Sequence, residues 1–483
     1  MTHVPMLVPG ASRNPVAELL ARAAEESQAL AIISPQLSMT RGDLADSVRR
    51  VAARLRRAGV RPGQVVAISA SPEWEAVLTL AVMHEGAASL HASTPVLEAY
   101  APYIDVLLGD VPDGSRWPAR VIAADASFIS SLGSVNPLID PMPFADEALC
   151  RVVFSSGTTG VPKGVPFSVS MLRRRIASAR RHWMPVDPFF SLLGIDTVSG
   201  FQTFFWCAVN GAPWIVPGSG AQNLALIERT GARSIKTSPA RLSDLLDAVE
   251  AHGTPASIPV VQVAGALLTP GLIRRCERLL GVTPLYLYGS TEGGTVTRGA
   301  ADADRPGVVG RPVDESELRV VGDDGRVVGV GDLGRIEYRT PVTATEYWHG
   351  DAGAQSRFRD GWFQPGDRGR LAEEGALEVH GRDDDVVNAG GVKLDLAAVD
   401  RELLGIEGVQ DAASFLFHDR DGLPAVGVAY VGRDVLAPDD VVELLRVRFT
   451  TMTVQACIRI DAVPRTATGK VTRIPLSRMM ETR

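Results

Sequence analysis

Short apolar runs and helical patterns alternate in two separate stretches of this chain, and that alternation restricts its fold more than any other feature. Residues 44–58 carry apolar side chains at helical spacing, residues 65–70 form a brief Val- and Ile-containing run, and residues 73–85 return to helical spacing. The rhythm recurs as an expected strand over 212–216, a helix over 224–230, a strand over 234–237 and a helix over 242–252. Strands separated by helices pair parallel, because only antiparallel neighbours can be joined by a tight hairpin. Both stretches therefore predict doubly wound α/β units. Near Glu317 the texture changes: residues 318–321, 327–328 and 335–339 read as short strands divided by turns such as Asp323-Asp324-Gly325, which predicts a small antiparallel sheet. After Gly381 the pattern is α+β, with helices expected over 396–404 and 438–449 and strands over 412–417, 425–431 and 458–460.

A chain of 483 residues exceeds what one core can serve, since cores stop growing at about 250–300 residues. At least two domains are expected, with the break at residues 380/381. The 49 basic and 56 acidic residues are mixed along the sequence and leave a net charge of -7, which argues against a nucleic-acid partner. Cys150, Cys207, Cys276 and Cys457 are far apart and form no C-x-x-C pair, so neither a disulfide framework nor a zinc site is implied. The beginning shows no basic run followed by an apolar stretch, and the end carries no lipidation signal; a cytoplasmic location is the expectation. Residues 201–217 are the most apolar segment, but Gln202, Asn210 and Pro213 interrupt them and they fall short of the ~20 residues of a membrane span. They read as buried core.

The strongest local signal is the strand-like Val152-Val153-Phe154 running into Ser155, Ser156, Gly157, Thr158, Thr159, Gly160, then Val161, Pro162, Lys163 and Gly164. Such a loop lets backbone N–H groups and hydroxyls converge on phosphate oxygens, with Lys163 supplying a cation. Its spacing is not that of a Walker A loop, and the bland alternative is a Ser/Gly-rich turn. Further along come Ala264-Gly265-Ala266; Leu287-Tyr288-Gly289-Ser290-Thr291-Glu292-Gly293; Trp362-Phe363-Gln364-Pro365-Gly366-Asp367; Gly381-Arg382-Asp383-Asp384-Asp385 followed by Asn388-Ala389-Gly390-Gly391; and Pro464-Arg465-Thr466-Ala467-Thr468-Gly469-Lys470. Singly, a Gly-Asp pair is a turn, three carboxylates in a row are a solvated turn or a cation site, and a lysine near a terminus is solvated surface. Their order along one chain gives them another meaning.

Together these stretches resemble the acyl-adenylate-forming superfamily, which includes acyl-CoA synthetases, nonribosomal adenylation domains and firefly luciferase, and the resemblance covers nearly the whole chain. It implies a large N-terminal domain, residues 1–380, binding ATP and an acid, and a mobile lid, residues 381–483, hinged at 381–385 about Asp384. It also implies that Ser155, Ser156, Gly157, Thr158, Thr159, Gly160 and Lys163 hold the ATP phosphates. Gly265 and Ala266 would border adenine and the acyl carbonyl, although Ala264 stands where the family usually has Gly. Tyr288, beside Gly289 and Ser290, would pack on adenine, and Thr291 would bond the α-phosphate. Glu292 would help hold Mg²⁺, a hard cation that takes oxygen ligands beside phosphates. Asp367 would accept from the ribose hydroxyls, with Pro365 where Thr is usual, and Arg382 would contact ribose or phosphate. Lys470, with Thr291 and Glu292, would be catalytic, neutralising charge at the α-phosphate as pyrophosphate leaves.

The implied activity is AMP-forming: ATP converts a carboxylic acid to its adenylate, and a thiol, coenzyme A foremost, then displaces AMP. The lid would turn about Asp384 to exchange Lys470 for Gly390 and Gly391, a pair that gives pantetheine a passage or is a plain turn. The acid would lie among Asp196, Gly265, Ser290, Gly293 and Gly294. Asp196 stands about where relatives place a His or aromatic residue; it either binds a substrate amine or caps the following helix through Thr197 and Val198. The arginines Arg173, Arg174, Arg175, Arg180 and Arg181 either attract CoA phosphates or form a solvated helix face. Other acceptors stay open: a thiol on a separate carrier protein, an amine, or activation of nitrite for diazotisation of an arylamine. A different class of protein, an inactive nucleotide-binding module, fits the same fold.

Overall fold

The computed structural model describes residues 14–109, 117, 119–137, 140–155, 162–182, 188–253, 258–383, 386–389, 392–418, 424–432, 437–448, 454–466 and 469–481. It divides into two compact units, one of Met1–Lys236, Thr291–Gly294 and Pro341–Phe358, the other of Thr237–Ser290, Thr295–Thr340 and Arg359–Arg483. The 380/381 break expected from the sequence lies inside the second.

The first unit is organised by a mixed sheet with strand order Arg120–Ala123, Val106–Gly109, Val65–Ser69, Ala88–His91, Leu149–Ser155, Lys163–Ser168. All neighbours pair parallel except Leu149–Ser155 with Lys163–Ser168, which form an antiparallel pair. Val66, Ala67 and Ile68 are all fully buried, as a strand covered on both faces requires. The helix Arg41–Arg57 begins at Thr40, whose hydroxyl accepts from the Asp43 N–H while the Asp43 carboxylate accepts from the Thr40 N–H. Phe189–Ser191 pairs parallel with Ser234–Thr237. The apolar segment beginning at residue 201 is core: Phe201, Phe204 and Phe205 of the helix Val198–Asn210 are at most 1% exposed. Gly200 sits so close to the preceding loop that a Cβ there would meet the Gly194 carbonyl at 1.9 Å, so only glycine lets this helix start where it does.

In the second unit Val260–Ala264 pairs parallel with Leu285–Ser290. The crossover helix Pro270–Leu280 is capped by the Thr269 side chain, opens with Pro270 and closes on left-handed Gly281. The small antiparallel sheet is present, built from Glu317–Val321, Gly334–Arg339, Trp362–Phe363, Asp367–Leu371 and Leu377–Arg382. Residues 327–328 are not a strand: Val327 makes a single bridge to Val321 and is 61% exposed. Beyond Val392, the helices Leu396–Leu404, Pro438–Arg448 and Arg473–Glu481 accompany a sheet of Val409–His418, Pro424–Gly432 and Val454–Arg459. Two apolar clusters form in this segment alone, one around Val399, Leu403, Val428 and Leu445, the other around Phe415, Ala429, Ile458 and Leu476. Among the described residues no helix is long and apolar enough to cross a membrane, and the four cysteines are free.

Candidate active site

Ser156, Gly157, Thr158, Thr159 and Gly160 of the expected phosphate loop, Asp384 of the hinge, and Gly390 and Gly391 of the expected tunnel lie outside the described residues. The remaining candidates fall in both units. The unit boundary runs between Ser290 and Thr291, inside one motif.

In the first unit the two ends of the phosphate loop are adjacent strands. Ser155 stands opposite Lys163, and the Ser155 hydroxyl donates to the Lys163 carbonyl at 3.4 Å. The Lys163 ammonium lies 5.5 Å from the centroid of the Tyr347 ring, whose hydroxyl donates to Glu292 Oε1 at 2.7 Å. Glu292 is 5% exposed, Thr291 is half-buried and Gly293 is buried. Gly294 has φ 73° and leaves 3.1 Å between a virtual Cβ and Val342, so a side chain there would be strained on both counts. Glu292 alone is no metal cage, and among the described residues no group of three or more His, Cys, Asp or Glu is arranged to hold a metal ion. Mg²⁺ nevertheless fits this carboxylate, because that ion commonly takes one or two protein carboxylates and completes its shell with phosphate oxygens and water.

Asp196 is exposed and does not cap the helix beside it. That task belongs to Thr197, whose hydroxyl accepts from the Gly200 N–H at 3.0 Å, so the capping alternative for Asp196 is corrected. The carboxylate lies near enough to His91 to help raise the imidazole pKa, after burial, which opposes the rise, and the larger influence of Glu75. His91 Nδ1 and Arg151 Nη2 meet the two oxygens of buried Glu75 at 2.9 and 3.0 Å, and Arg151 also donates to the Ile195 carbonyl at 3.3 Å, anchoring the loop that carries Asp196.

The arginine cluster of the helix Val169–His182 is neither a uniform solvated face nor a presented cationic patch. Arg173 approaches Asp146 at 3.6 Å, Arg180 lies 5.1 Å from the Trp206 centroid, and Arg175 is 2% exposed.

In the second unit the Tyr288 hydroxyl donates to Asp367 Oδ2 at 2.7 Å, and Arg382 Nη1 donates to Asp367 Oδ1 at 3.3 Å. Arg382 Nη2 also reaches the carbonyl of Pro365 at 3.2 Å, so the residue replacing the usual Thr contributes a main-chain oxygen. Burial, and then the Asp367 charge, push the Tyr288 phenol well above its ordinary pKa, which keeps it a donor. Each carboxylate oxygen of Asp367 has a second acceptor position, as ligand hydroxyls would need. Tyr338 donates to Ser290 Oγ at 2.8 Å and meets Tyr288 edge-on, fixing the segment on either side of exposed Gly289. Gly265 has φ 99°, and Tyr286 pins its turn by donating to the Ala266 carbonyl at 2.6 Å while accepting from the Leu268 N–H. Lys470 is half-buried in a tight loop where the Thr466 N–H donates to the Lys470 carbonyl at 2.8 Å, and Gly469 has φ 88°. A Cβ on Gly469 would lie 3.6 Å from the Ala240 nitrogen, so this loop packs against the start of the helix Pro239–His252.

Sequence reasoning missed Tyr347, Tyr286 and Tyr338, and it read Arg175 only as one member of a charged run. Tyr286 shares strand parity with Tyr288, which was a usable signal; Tyr347 lies outside every motif, and its contact with Glu292 spans 55 positions.

Residues 108–348 match the model of the AMP-binding enzyme family. Pyochelin synthetase PchE of Pseudomonas aeruginosa (strain UCBPP-PA14) is 29% identical over 86% of this chain, which spans 30% of that protein's length. A salicylyl-CoA synthase / salicylate adenylyltransferase of a Streptomyces species is 26% identical over 92% of this chain and 89% of its own. The crystal structure of the anthranilate CoA ligase AuaEII in complex with anthranoyl-AMP superposes with a TM-score of 0.82 at 22% identity, covering 99% of both chains. A family match across the segment that carries the Ser/Thr/Gly loop and the Tyr-Gly-Ser-Thr-Glu run, relatives that align over most of the chain, and a fold shared from end to end converge on one assignment: the chain belongs to the acyl-adenylate-forming superfamily.

Proposed function

We propose that this chain uses ATP to activate a carboxylic acid as its acyl-adenylate, releasing pyrophosphate, and passes the acyl group to a thiol, coenzyme A in the first place. The observation that carries this reading is the Tyr288–Asp367–Arg382 constellation, a carboxylate oriented by a phenol and a guanidinium while retaining acceptor capacity for vicinal hydroxyls. The salicylyl-CoA relative supports an aromatic acid and coenzyme A.

In this reading Ser155, Lys163 and the loop between them hold the triphosphate, Thr291 bonds the α-phosphate, and Glu292 holds Mg²⁺, which when bound offsets phosphate charge. Lys470 supplies a cation at the α-phosphate as the bond to pyrophosphate breaks. Residues 381–483 act as a lid turning about Asp384, a role supported by the separate apolar clusters of that segment. Gly390 and Gly391 admit the pantetheine arm. Gly265, Ser290, Gly293 and Gly294 are the small residues assigned to the acid in this reading.

One observation favours a narrower substrate class. With Thr197 doing the capping, the exposed carboxylate of Asp196 is left to a ligand, which supports an acid carrying an amino group. ATP–pyrophosphate exchange with matched acids, with and without the amine, tests both levels. Exchange lost in Lys470→Ala supports the activation step, and no exchange with any acid would mean a nucleotide-binding module instead. A selective loss on the amino acids in Asp196→Asn supports the narrower class, and an equal loss on both sets would remove it. Mass spectrometry of products formed with coenzyme A, an amine, nitrite or a carrier protein identifies the acceptor.

A further inference from the structure

The geometry points to Arg175 and Tyr347 as positioning residues that clamp Glu292 from both ends and thereby set the metal requirement of the nucleotide site. This rests on Glu292 being the metal ligand. Arg175 rises from the helix Val169–His182, is 2% exposed, and stacks its guanidinium 4.4 Å from the centroid of Phe167. Its Nη2 donates to the carbonyl of Glu292 at 2.7 Å and to the carbonyl of Val342 at 2.9 Å. The Ala344 N–H donates to that same Glu292 carbonyl at 2.8 Å. The segment 291–294 is thus tied at its main chain to the segment 341–358 by one guanidinium and one backbone hydrogen bond.

The other end of the residue is held separately. Tyr347 donates to Glu292 Oε1, and Tyr347 is itself fixed by its N–H to Gln355 Oε1 at 3.0 Å and by edge-on packing against Phe358. Main chain and carboxylate are therefore both placed before a ligand arrives. A carboxylate offers about four acceptor positions, and the phenol bond takes one of them and orients the group. Taking a guanidinium out of water is costly, and carbonyl acceptors recover that cost only where the geometry is good. A planar fork bridges two carbonyls; a lysine ammonium on a flexible stem does not reproduce that bridge. Groups that orient a metal ligand change metal affinity by about 10–100-fold when removed.

The test uses the full chain with Arg175→Lys, Arg175→Met and Tyr347→Phe, and exposed Arg174→Lys as control. Mn²⁺ binding in the presence of ATP is followed by electron paramagnetic resonance, and ATP–pyrophosphate exchange is titrated with Mg²⁺. The expected result is a rise of about tenfold in the half-saturating metal concentration for Arg175→Lys and Tyr347→Phe. Saturating metal restores exchange, the KM for the acid holds, and Arg174→Lys matches the parent. Where Arg175→Met does not fold, the other two carry the test. Unchanged Mn²⁺ affinity in folded Arg175→Lys and Tyr347→Phe would overturn the clamp. Weakened Mn²⁺ binding in a chain that shows no exchange with any acid would sustain the clamp while sinking the proposed function.

Discussion

Two carboxylates, one in each unit, are held by a tyrosine hydroxyl at 2.7 Å, and what separates them is where the accompanying arginine goes. At Asp367 the guanidinium of Arg382 meets the carboxylate itself. At Glu292 the guanidinium of Arg175 meets the main-chain carbonyl. The first arrangement balances the negative charge and leaves an acceptor suited to neutral hydroxyls. In the second, the guanidinium goes to the main-chain carbonyl rather than to the carboxylate, an arrangement that suits a ligand for a cation. The same two partner types, tyrosine and arginine, thus prepare a carboxylate for different work according to which oxygen the arginine reaches.

The comparison breaks if the two carboxylates respond alike. Glu292→Gln is expected to lower the rate of ATP–pyrophosphate exchange by about 100-fold or more, with the loss falling on the metal-dependent step. Asp367→Asn is expected to raise the KM for ATP by about 10–100-fold while the Mg²⁺ dependence stays that of the parent, because a charge-assisted hydrogen bond is worth about 1.5–3 kcal/mol. A shifted Mg²⁺ curve in Asp367→Asn would show that both carboxylates serve the metal. Tyr288→Phe sharpens the point: it removes one neutral donor, and a rise in the KM for ATP of about tenfold or less is expected, with no change in metal requirement.

Much of this was legible from sequence because the signals are local. Strand 234–237 and helix 396–404 follow from apolar spacing over one or two turns, and both are present with those bounds. Asp367 and Arg382 were named from motifs, and the antiparallel register that places them opposite each other brings a pair 15 positions apart within bonding distance. Arg175 was not legible. Its neighbours Arg173, Arg174, Arg180 and Arg181 made it look like part of a charged face, whereas helical phase turns position 175 inward with Leu172, Ile176 and Ala179. A charge on the buried stripe of a helix is a signal that apolar counting discards, and its acceptors lie 117 and 167 positions away. Val327 failed for the opposite reason: two valines matched a strand pattern, but Val327 is exposed and makes only a single bridge.

Glu75 supplies the third term of the comparison, a buried carboxylate whose two oxygens are taken by two cationic side chains, Arg151 and His91. Burial opposes ionisation on both sides of the pair, yet Glu75 is held below its ordinary pKa by His91 and Arg151, and His91 above its own by Glu75 and, more weakly, Asp196, with Arg151 pulling the other way. A histidine whose folded pKa is raised stabilises fully below its unfolded value, about 6.5, and loses that contribution as pH rises through the folded value. The melting temperature of the parent is therefore expected to fall slightly between roughly pH 6 and pH 8, and that slope should flatten in His91→Gln. The effect is the smallest of the set because His91 is 34% exposed and solvent screens it. A slope identical in parent and variant would mean that Arg151 alone balances Glu75, and that the third carboxylate belongs with Asp367.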